Sequence, residues 1–281
     1  FACHKPIVLR TSPTPNSIMT NSPDPFFEPY DRQQIAYGDT PAPGVQSIIE
    51  LTSTGAAEKH EAVDLGAGAG RDSIALALAG YQVTAVDLSE RGLERVLQRA
   101  AAANVGDLVS TRMADVRDFE FDPGRYSAII ATTVLDHIPA EDAVDLWQQI
   151  IGSLAEGGFI SVEVHTTEDP GSELPPGCHS DAPRSETAGA VVNYFPPSRL
   201  ALWATDPAAN LRILRYEERL EWDYTHGPEH LHGKATLLAV RQGTFPEWYG
   251  QPPAFPRQTD SMGCPLDPLG NTPDQKHRGI G

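Results

Sequence analysis

A run of alternating glycines follows a short apolar segment, and this arrangement is typical of a ligand-binding loop. Gly66, Gly68 and Gly70 are separated by single alanines and come directly after Val63-Asp64-Leu65. Glycine lets the backbone turn tightly and approach a ligand where a Cβ atom would stand in the way. Because open α/β sheets bind ligands at the carboxyl ends of their strands, we expect a binding site at this turn. The alternative interpretation is a tight structural turn with no ligand.

The spacing of this loop distinguishes between two classes of ligand. The dinucleotide fingerprint is GxGxxG or GxGxxA, and its last position, counted from Gly66, is occupied by Arg71. Arginine is too large for the close packing of helix on strand that this position needs. Asp64 stands just before the loop, where its carboxylate would repel a pyrophosphate but attract an ammonium group. These residues favour the amino acid end of S-adenosylmethionine (SAM) over a dinucleotide.

Two further acids follow the next two predicted strands. Asp87 comes 21 residues after Gly66, and its two oxygens can accept hydrogen bonds from both hydroxyls of a ribose. Asp115 follows the third strand and is placed to meet the amino group of adenine. The loop and the two acids, at the ends of three successive strands, together predict a SAM site. For Asp115 alone, a solvated loop acid is the alternative interpretation.

Candidates for handling the acceptor lie after later strands. Methyl transfer is an in-line displacement in which the enzyme mainly aligns the reacting atoms, and a base is needed only if the acceptor must lose a proton. Neutral histidine can act as that base near pH 7. The candidates follow the fourth and fifth predicted strands and begin the last turn: Asp136, His137, His165 and His226. For each of them, a surface or structural role is the alternative.

The last predicted turn is rich in histidine. His230 and His232 follow His226 closely and are weaker candidates for the base. The three histidines, with Glu229, are also of the residue types that bind metal ions. Their spacing matches no standard helical metal site, and Pro228 forces a turn among them. We therefore predict no metal ion here.

Apolar runs and helical patterns alternate through the middle of the chain and predict the elements that position these side chains. The predicted strands cover residues 62–65, 82–86, 108–113, 127–131, 159–164, 211–224 and 234–242. The predicted helices cover residues 71–79, 140–154, 198–204 and a helix capped by Ser89 that runs to about residue 103. This alternation is typical of an α/β fold, in which helices cover both faces of a parallel sheet.

Proline-rich ends flank this α/β region. Residues 1–25 have no hydrophobic period and are predicted to be disordered or extended, and Met19 is a plausible initiator. Residues 243–281 contain too many prolines for a helix or a central strand and are predicted to form an irregular tail. A single domain is expected over residues 26–242, with an insert or lid loop at about 169–197.

Composition restricts the partners and the location of the protein. The chain has 281 residues and a formal net charge of −17, and an acidic surface repels nucleic acids and anionic lipids. No apolar run approaches the roughly 18–20 residues of a membrane span, and no secretory signal is evident. The three cysteines are scattered and predict no disulfide framework. We expect a cytoplasmic protein that acts on a small molecule; the oligomeric state is left open.

The sequence resembles the class I SAM-dependent methyltransferases, and within them the tellurite-resistance methyltransferase group. The resemblance covers roughly residues 36–241 and is carried by these stretches: DLGAGAGRDSIALALAGYQVTAVDLS, IIATTVLDHI, LAEGGFISVEV and HGKATLLAVR. The subgroup is indicated by Gly70-Arg71-Asp72-Ser73, by Tyr37-Gly38-Asp39-Thr40 and by a histidine before the last strand.

The resemblance implies a Rossmann-like, mostly parallel sheet of seven strands with an antiparallel last strand. It also implies methyl transfer from SAM to a small acceptor, with release of S-adenosyl-L-homocysteine. The residues that it places at the cofactor are Asp64, Gly66, Gly68, Gly70, Arg71, Asp87, Leu88, Asp115, Val116 and Thr132. Among these, Arg71 is expected to reach the carboxylate of the cofactor.

Three segments depart from the pattern of the tellurite-resistance group and leave the acceptor open. They are the insert at 169–197, the proline-rich tail and the turn at 224–232. One hypothesis is a soft nucleophile, namely tellurite, selenite or a thiol. A second is a hydroxyl or amine of an organic metabolite, for which the insert would shape a larger pocket. A third is a SAM-binding protein without catalytic activity.

Overall fold

The structure is a computed structural model that describes residues 38–52, 60–172, 182–185, 188–224 and 228–242. Seven strands form one sheet, and the helices lie on its two faces. The strands are β1 (Glu61–Leu65), β2 (Gln82–Asp87), β3 (Val109–Met113), β4 (Tyr126–Thr132), β5 (Leu154–His165), β6 (Leu211–Asp223) and β7 (His230–Arg241). The helices are α1 (Pro43–Thr52), α2 (Arg71–Leu78), α3 (Glu90–Ala102), α4 (Ala140–Ser153) and α5 (Arg199–Thr205).

The sheet has the strand order β3-β2-β1-β4-β5-β7-β6. The first five of these strands are parallel, and β7 runs antiparallel to both of its neighbours, β5 and β6. The last residue of β1, Leu65, pairs with Val86 on one side and Ala131 on the other. The loops that follow β1, β2 and β4 therefore leave the sheet at the same edge. The predicted α/β fold with seven strands and an antiparallel last strand is confirmed.

Two hydrophobic clusters, one on each face of the sheet, hold the helices in place. On one face Trp147 of α4 and Leu200 of α5 belong to a cluster that includes Leu65. On the other face Ile48 of α1 and Val96 of α3 belong to a cluster that includes Ala62. Because alternate residues of a strand point to opposite faces, β1 contributes to both clusters. The central strands are therefore buried on both sides, as parallel sheets require.

Helix α3 shows how local sequence fixes the element beside the glycine loop. The side chain of Ser89 accepts a hydrogen bond from the backbone N–H of Gly92 at 3.0 Å, which confirms the predicted cap. Leu93, Val96 and Ala100 lie on one stripe of the helix and are buried against the sheet. The cap sets the residue at which α3 begins, and the stripe sets which face of the helix packs against the sheet.

Strand β7 begins earlier than the sequence predicts. It begins at His230 and not at residue 234, so His230 and His232 lie in the strand and not in the turn. The prediction was wrong because it treated histidine as a turn residue, whereas these two rings are buried on the inner face of the strand. Strand β5 likewise begins at Leu154 and not at residue 159.

The described part of the segment at 169–197 packs against the ends of the strands. The carboxylate of Asp169 accepts a hydrogen bond from the backbone N–H of Gly233 at 3.0 Å. The backbone N–H of Asn193 donates to the carbonyl of Asp136 at 3.0 Å. A role of this segment as a lid remains a prediction. Within the described ranges, no helix is long and apolar enough to cross a membrane.

Gly92→Ala is predicted to destabilise the fold. A Cβ atom at Gly92 would lie 2.7 Å from the carbonyl oxygen of Gly68, so the glycine loop would have to shift. We expect the free energy of unfolding in denaturant to fall by about 1–3 kcal/mol. Gly152→Ala in α4 is the matched control, since nothing lies within 4 Å of its Cβ, and it should be neutral or stabilise by up to about 1 kcal/mol. Equal effects of the two changes would contradict the prediction.

Candidate functional site

A cavity of about 610 Å³ opens at the carboxyl ends of the parallel strands. Its floor comes from the loops after β1, β2, β3 and β4, and its far wall comes from β5, β6 and β7. This volume is within the range of small-molecule sites, and the position is the one at which open α/β sheets bind their ligands. The cofactor residues predicted from the sequence can therefore be tested for their place around one cavity.

Most of the predicted cofactor residues line this cavity. Those that do are Asp64, Gly66, Gly68, Arg71, Asp87, Leu88, Asp115, Val116 and Thr132. Gly70 is not among the lining residues. It has a left-handed φ of 79° just before α2, and a Cβ there would lie 2.8 Å from Cγ2 of the buried Val96. The need for glycine at this position comes from packing against α3, and contact of Gly70 with a cofactor remains a prediction.

The carboxylate of Asp87 connects the end of β2 to the glycine loop. One oxygen accepts a hydrogen bond from the backbone N–H of Gly68 at 2.8 Å, and the other accepts from the N–H of Ser89 at 2.7 Å. Burial raises the pKa of Asp87, and these hydrogen bonds oppose the rise. Each carboxylate oxygen can accept a second hydrogen bond. The geometry therefore leaves Asp87 able to accept from a ribose diol while it holds the loop in place.

Asp64 is almost fully buried beneath the loop. Burial and the neighbouring Asp72 raise the pKa of its carboxyl to about 7, although Ser73 donates a hydrogen bond to it at 2.5 Å. A buried acid with a raised pKa ionises fully when a cation lies beside it. Asp64 is thus suited to a ligand that carries an ammonium group.

Arg71 and Asp72 form an ion pair at the start of α2. A guanidinium nitrogen of Arg71 lies 3.1 Å from Oδ2 of Asp72, and Oδ1 of Asp72 accepts from the backbone N–H of Ala42 at 2.7 Å. Asp72 therefore attaches the segment before α1 to the rim of the cavity. Asp72 is not among the site residues predicted from the sequence, although its position directly after Arg71 is a usable signal.

Asp115 lies after β3, and its carboxylate forms an ion pair with Arg117. Oδ2 of Asp115 accepts from a guanidinium nitrogen of Arg117 at 2.6 Å, and Oδ1 accepts from Nε at 2.9 Å. These hydrogen bonds hold the pKa of Asp115 below its usual range. Arg117 also lies 3.0 Å from Asp142 of α4. Arg117 lines the cavity as well, and the sequence analysis does not identify it.

Asp136 and His165 form a buried pair behind the far wall. Nδ1 of His165 donates to Oδ2 of Asp136 at 2.5 Å, and the backbone N–H of His165 donates to the same oxygen at 2.9 Å. Nδ1 of His137 lies 3.2 Å from the other oxygen. Both histidines line the cavity, whereas Asp136 lies behind them and is fully buried.

Asp136 and His165 each stabilise the charged form of the other. Burial raises the pKa of Asp136, but the two histidines overcome this effect and leave its pKa well below the usual range. Burial lowers the pKa of His165, and the hydrogen bond to Asp136 outweighs it, so the net direction is upward. Because Nδ1 is held by Asp136, Nε2 is the nitrogen of His165 that remains for proton transfer. The fourth candidate, His226, lies outside the described residues.

A second pair of histidines lies next to the first. The ring of His232 lies 4.6 Å from the ring of His165, centroid to centroid, and it also lines the cavity. Its Nδ1 lies 3.0 Å from Oδ2 of Asp169, and its Nε2 lies 3.0 Å from Nε2 of His230. Burial lowers the pKa of His232. Within the described ranges, two sets of side chains have metal-ligand atoms within 4.8 Å of one another: His165 with Asp169 and His232, and Asp223 with His230 and His232.

An ion-pair network on β5, β6 and β7 completes the far wall. Nζ of Lys234 lies 3.1 Å from Glu163 and 2.7 Å from Glu221. Arg219 lies 2.5 Å from the same Glu221. All four residues line the cavity. They are not predicted from the sequence, although charged residues at every second position of the sixth predicted strand, from Glu217 to Asp223, are a signal for a polar face.

The match to a protein-family model begins at β1 and ends in β5. Residues 62–158 match the family model described as a methyltransferase domain. These residues contain the glycine loop, Asp87, Asp115 and the Asp136-His137 pair. The far wall of the cavity, from Glu163 to the end of β7, lies beyond the match.

Two curated relatives carry the names of methyltransferases. Over 140 residues the chain is 29% identical to 27-O-demethylrifamycin SV methyltransferase of Amycolatopsis mediterranei, which is 46% of this chain and 46% of that protein. Over 88 residues it is 31% identical to the ubiquinone biosynthesis O-methyltransferase of Bordetella pertussis, which is 31% of this chain and 36% of that protein. The matches thus span less than half the length of these relatives.

Among solved structures, the chain is similar to TehB from Haemophilus influenzae. The TM-score is 0.56 at 19% identity, over 77% of this chain and 66% of that one. This likeness shows the fold. The matched family model and both named relatives are methyltransferases, and the cofactor that they indicate is SAM. The residues around the cavity fit this cofactor, since a buried acid, a glycine loop and Asp87 face one space.

Asp64→Asn is predicted to stabilise the SAM-free protein at high pH. Because the folded protein raises the pKa of Asp64 from an ordinary 3.8 to about 7, its contribution to stability is full below pH 4 and is lost as pH rises through 7. Asp64→Asn has no carboxyl group to ionise at this position. The difference in free energy of unfolding between the variant and the native chain should therefore grow in favour of the variant between pH 5 and pH 8. Because about two pH units separate pH 5 from a pKa of about 7, the upper limit of this growth is about 3 kcal/mol.

Urea unfolding at the two pH values measures this difference. Asp145→Asn, at an exposed position of α4, is the control and should show the same stability relative to the native chain at both. A pH-independent effect of Asp64→Asn would mean that the buried carboxyl does not carry the raised pKa.

Proposed function

We propose that this chain is a SAM-dependent methyltransferase that acts on a small nucleophilic acceptor. The observation that carries the proposal is that Asp87 and His165 line one cavity. Asp87 belongs to the part of the cavity that suits the cofactor, and His165 belongs to the wall opposite. The domain match over residues 62–158 supports the reaction class. A second candidate, a SAM-binding protein without activity, is tested below.

The cofactor half of the cavity supplies complementary groups for each end of SAM. The loop backbone at Gly66 and Gly68 allows close approach, Asp87 accepts from the ribose, and Asp64 balances the ammonium group. The flat adenine has an apolar surface at Leu88, which is 59% exposed although it lines the cavity. An exposed leucine beside a polar loop is what a bound ring would cover.

His165 is proposed to take the proton of the acceptor. SAM supplies an electrophilic methyl group, so an acceptor hydroxyl, or an amine that is protonated in solution, becomes a good nucleophile only as its proton leaves. Asp136 fixes the tautomer of His165 through Nδ1 and leaves Nε2 for the proton. In this arrangement His165 is the catalytic residue, and Asp136 is a positioning residue that acts through it.

The charge of the cavity favours an organic acceptor over an oxyanion. Among the residues that the structure describes, seven carboxyl side chains line the cavity, against four guanidinium or ammonium groups. Arg219 and Lys234, the cations of the far wall, are both engaged by Glu163 or Glu221. A hydroxyl or amine of a neutral or cationic metabolite would meet less repulsion there than tellurite or selenite. Tellurite, selenite or a thiol is supported by the sequence resemblance alone.

Asp87→Ala is predicted to remove SAM binding. Loss of two charged hydrogen bonds to the ribose and of the support for Gly68 should weaken the affinity at least about tenfold. Isothermal titration of the native chain with SAM and with S-adenosyl-L-homocysteine measures this. Asp145→Ala, on the exposed face of α4, should bind as the native chain does. Absence of binding to the native chain would refute the cofactor assignment and with it the proposal.

His165→Gln is predicted to separate the acceptor classes. With a hydroxyl or amine acceptor, kcat should fall by about 10²–10⁴-fold while the affinity for SAM is retained. Asp136→Asn should lower kcat in the same direction, because Asn cannot stabilise the imidazolium. With selenite, tellurite or a thiolate, which need lose no proton, His165→Gln should leave kcat within a few-fold of the native value.

Transfer of a labelled methyl group to a panel of both acceptor classes gives the readout. Tight SAM binding without transfer to any acceptor of the panel would favour the SAM-binding protein without activity. Equal kcat values for the native chain and His165→Gln with a hydroxyl acceptor would remove His165 from the mechanism.

A further inference from the structure

We infer that Asp223, His230 and His232 form a binding site for a divalent transition-metal ion at the edge of the cavity. Asp223 at the end of β6 is the cross-strand partner of His230 at the start of β7. His232 comes two residues later, so all three side chains are on the same face of the hairpin. One ligand atom of each lies within 4.8 Å of the others. Asp223 and His232 line the cavity.

The two histidine rings turn the same nitrogen toward one point. Nε2 of His230 and Nε2 of His232 are 3.0 Å apart. The other nitrogen of each ring faces an acceptor: Nδ1 of His232 lies 3.0 Å from a carboxylate oxygen of Asp169, and Nδ1 of His230 lies 2.6 Å from the carbonyl of Pro228. An acceptor requires N–H, so in the neutral rings both protons are on Nδ1. Both Nε2 atoms then present lone pairs.

Two lone pairs at 3.0 Å repel each other unless a positive centre lies near both. A metal ion meets this requirement without placing an extra proton on a buried ring. For ligand nitrogens about 2.0–2.1 Å from one ion, a separation of 3.0 Å corresponds to an angle of about 90° at the metal. That angle, with two histidines and one carboxylate, is typical of a facial triad that leaves coordination positions open.

The surroundings of the two rings are those of ligand histidines. A metal-bound histidine commonly donates its second N–H to a carboxylate or a backbone carbonyl, which fixes the ring and raises the basicity of the ligand. Asp169 and the carbonyl of Pro228 occupy these positions for His232 and His230. The sequence predicts no metal because it assigns both histidines to a turn, and their place on one face of β7 removes that objection.

A competing set of ligands shares His232 with this site. It consists of His165, Asp169 and His232. In that set Asp169 would have to coordinate the metal ion, although its carboxylate already accepts hydrogen bonds from His232 and from the backbone N–H of Gly233. His165 would also have to leave its role beside Asp136 or combine the two. The Asp223 set leaves the pair of Asp136 with His165, and the hydrogen bonds that Asp169 accepts, in place.

Metal titration of the full chain tests the site without any methyl transfer. The chain is purified without a tag, dialysed against chelator and then freed of it. It is titrated calorimetrically with Zn²⁺, Co²⁺, Ni²⁺ and Mn²⁺ in the absence of SAM. We expect saturable binding of one ion per chain and a rise in the thermal unfolding temperature with at least one of these ions. Absence of saturable binding to the native chain would overturn the inference.

Matched variants show where the ion binds. His230→Gln and Asp223→Asn should each weaken the affinity at least about tenfold and abolish the rise in unfolding temperature, and Asp169→Asn should weaken it about 10–100-fold. His60→Gln, which alters a ring that packs on Tyr81, is the control and should bind as the native chain does. Asp223 is only partly buried, so Asp223→Asn tests the site even if His230→Gln fails to fold. Unchanged affinity in Asp223→Asn would exclude this site.

Discussion

The two hydrogen bonds that the Asp87 carboxylate accepts from the backbone are the interaction on which the proposed cofactor half of the cavity depends. A buried carboxylate is costly unless its oxygens are satisfied, and here the N–H groups of Gly68 and Ser89 satisfy them. The same bonds fix the glycine loop against the end of β2 and the start of α3. The positions of Asp64 below the loop and of Leu88 beside it follow from that attachment.

Most residues of the proposed cofactor half could be placed around one cavity from the sequence, because their signals are local. A loop whose glycines are required by left-handed φ angles and close packing leaves a pattern within a few residues. The capping serine of α3 and the apolar runs of β1, β2 and β4 are local as well. Since parallel strands end at one edge, the chain order of Asp64, Asp87 and Asp115 sufficed to place them around one cavity.

The far wall could not be predicted because its contacts join distant parts of the chain. Asp136 meets His165 across 29 residues, and Asp169 meets His232 across 63. Nothing in the sequence near His232 signals a buried carboxylate partner. Histidine was also misassigned because its polarity suggests a turn, whereas these two rings are buried in β7 with their Nδ1 atoms hydrogen-bonded to Asp169 and to the carbonyl of Pro228.

The position of β7 between β5 and β6 has a consequence for how this architecture can diversify. One contiguous hairpin, β6 and β7, carries Arg219, Glu221, Asp223, His230, His232 and Lys234. The glycine loop and Asp87 lie outside this hairpin. Recombination or insertion within this single stretch of the gene could therefore change what the cavity accepts. The residues of the proposed cofactor half would stay unaltered.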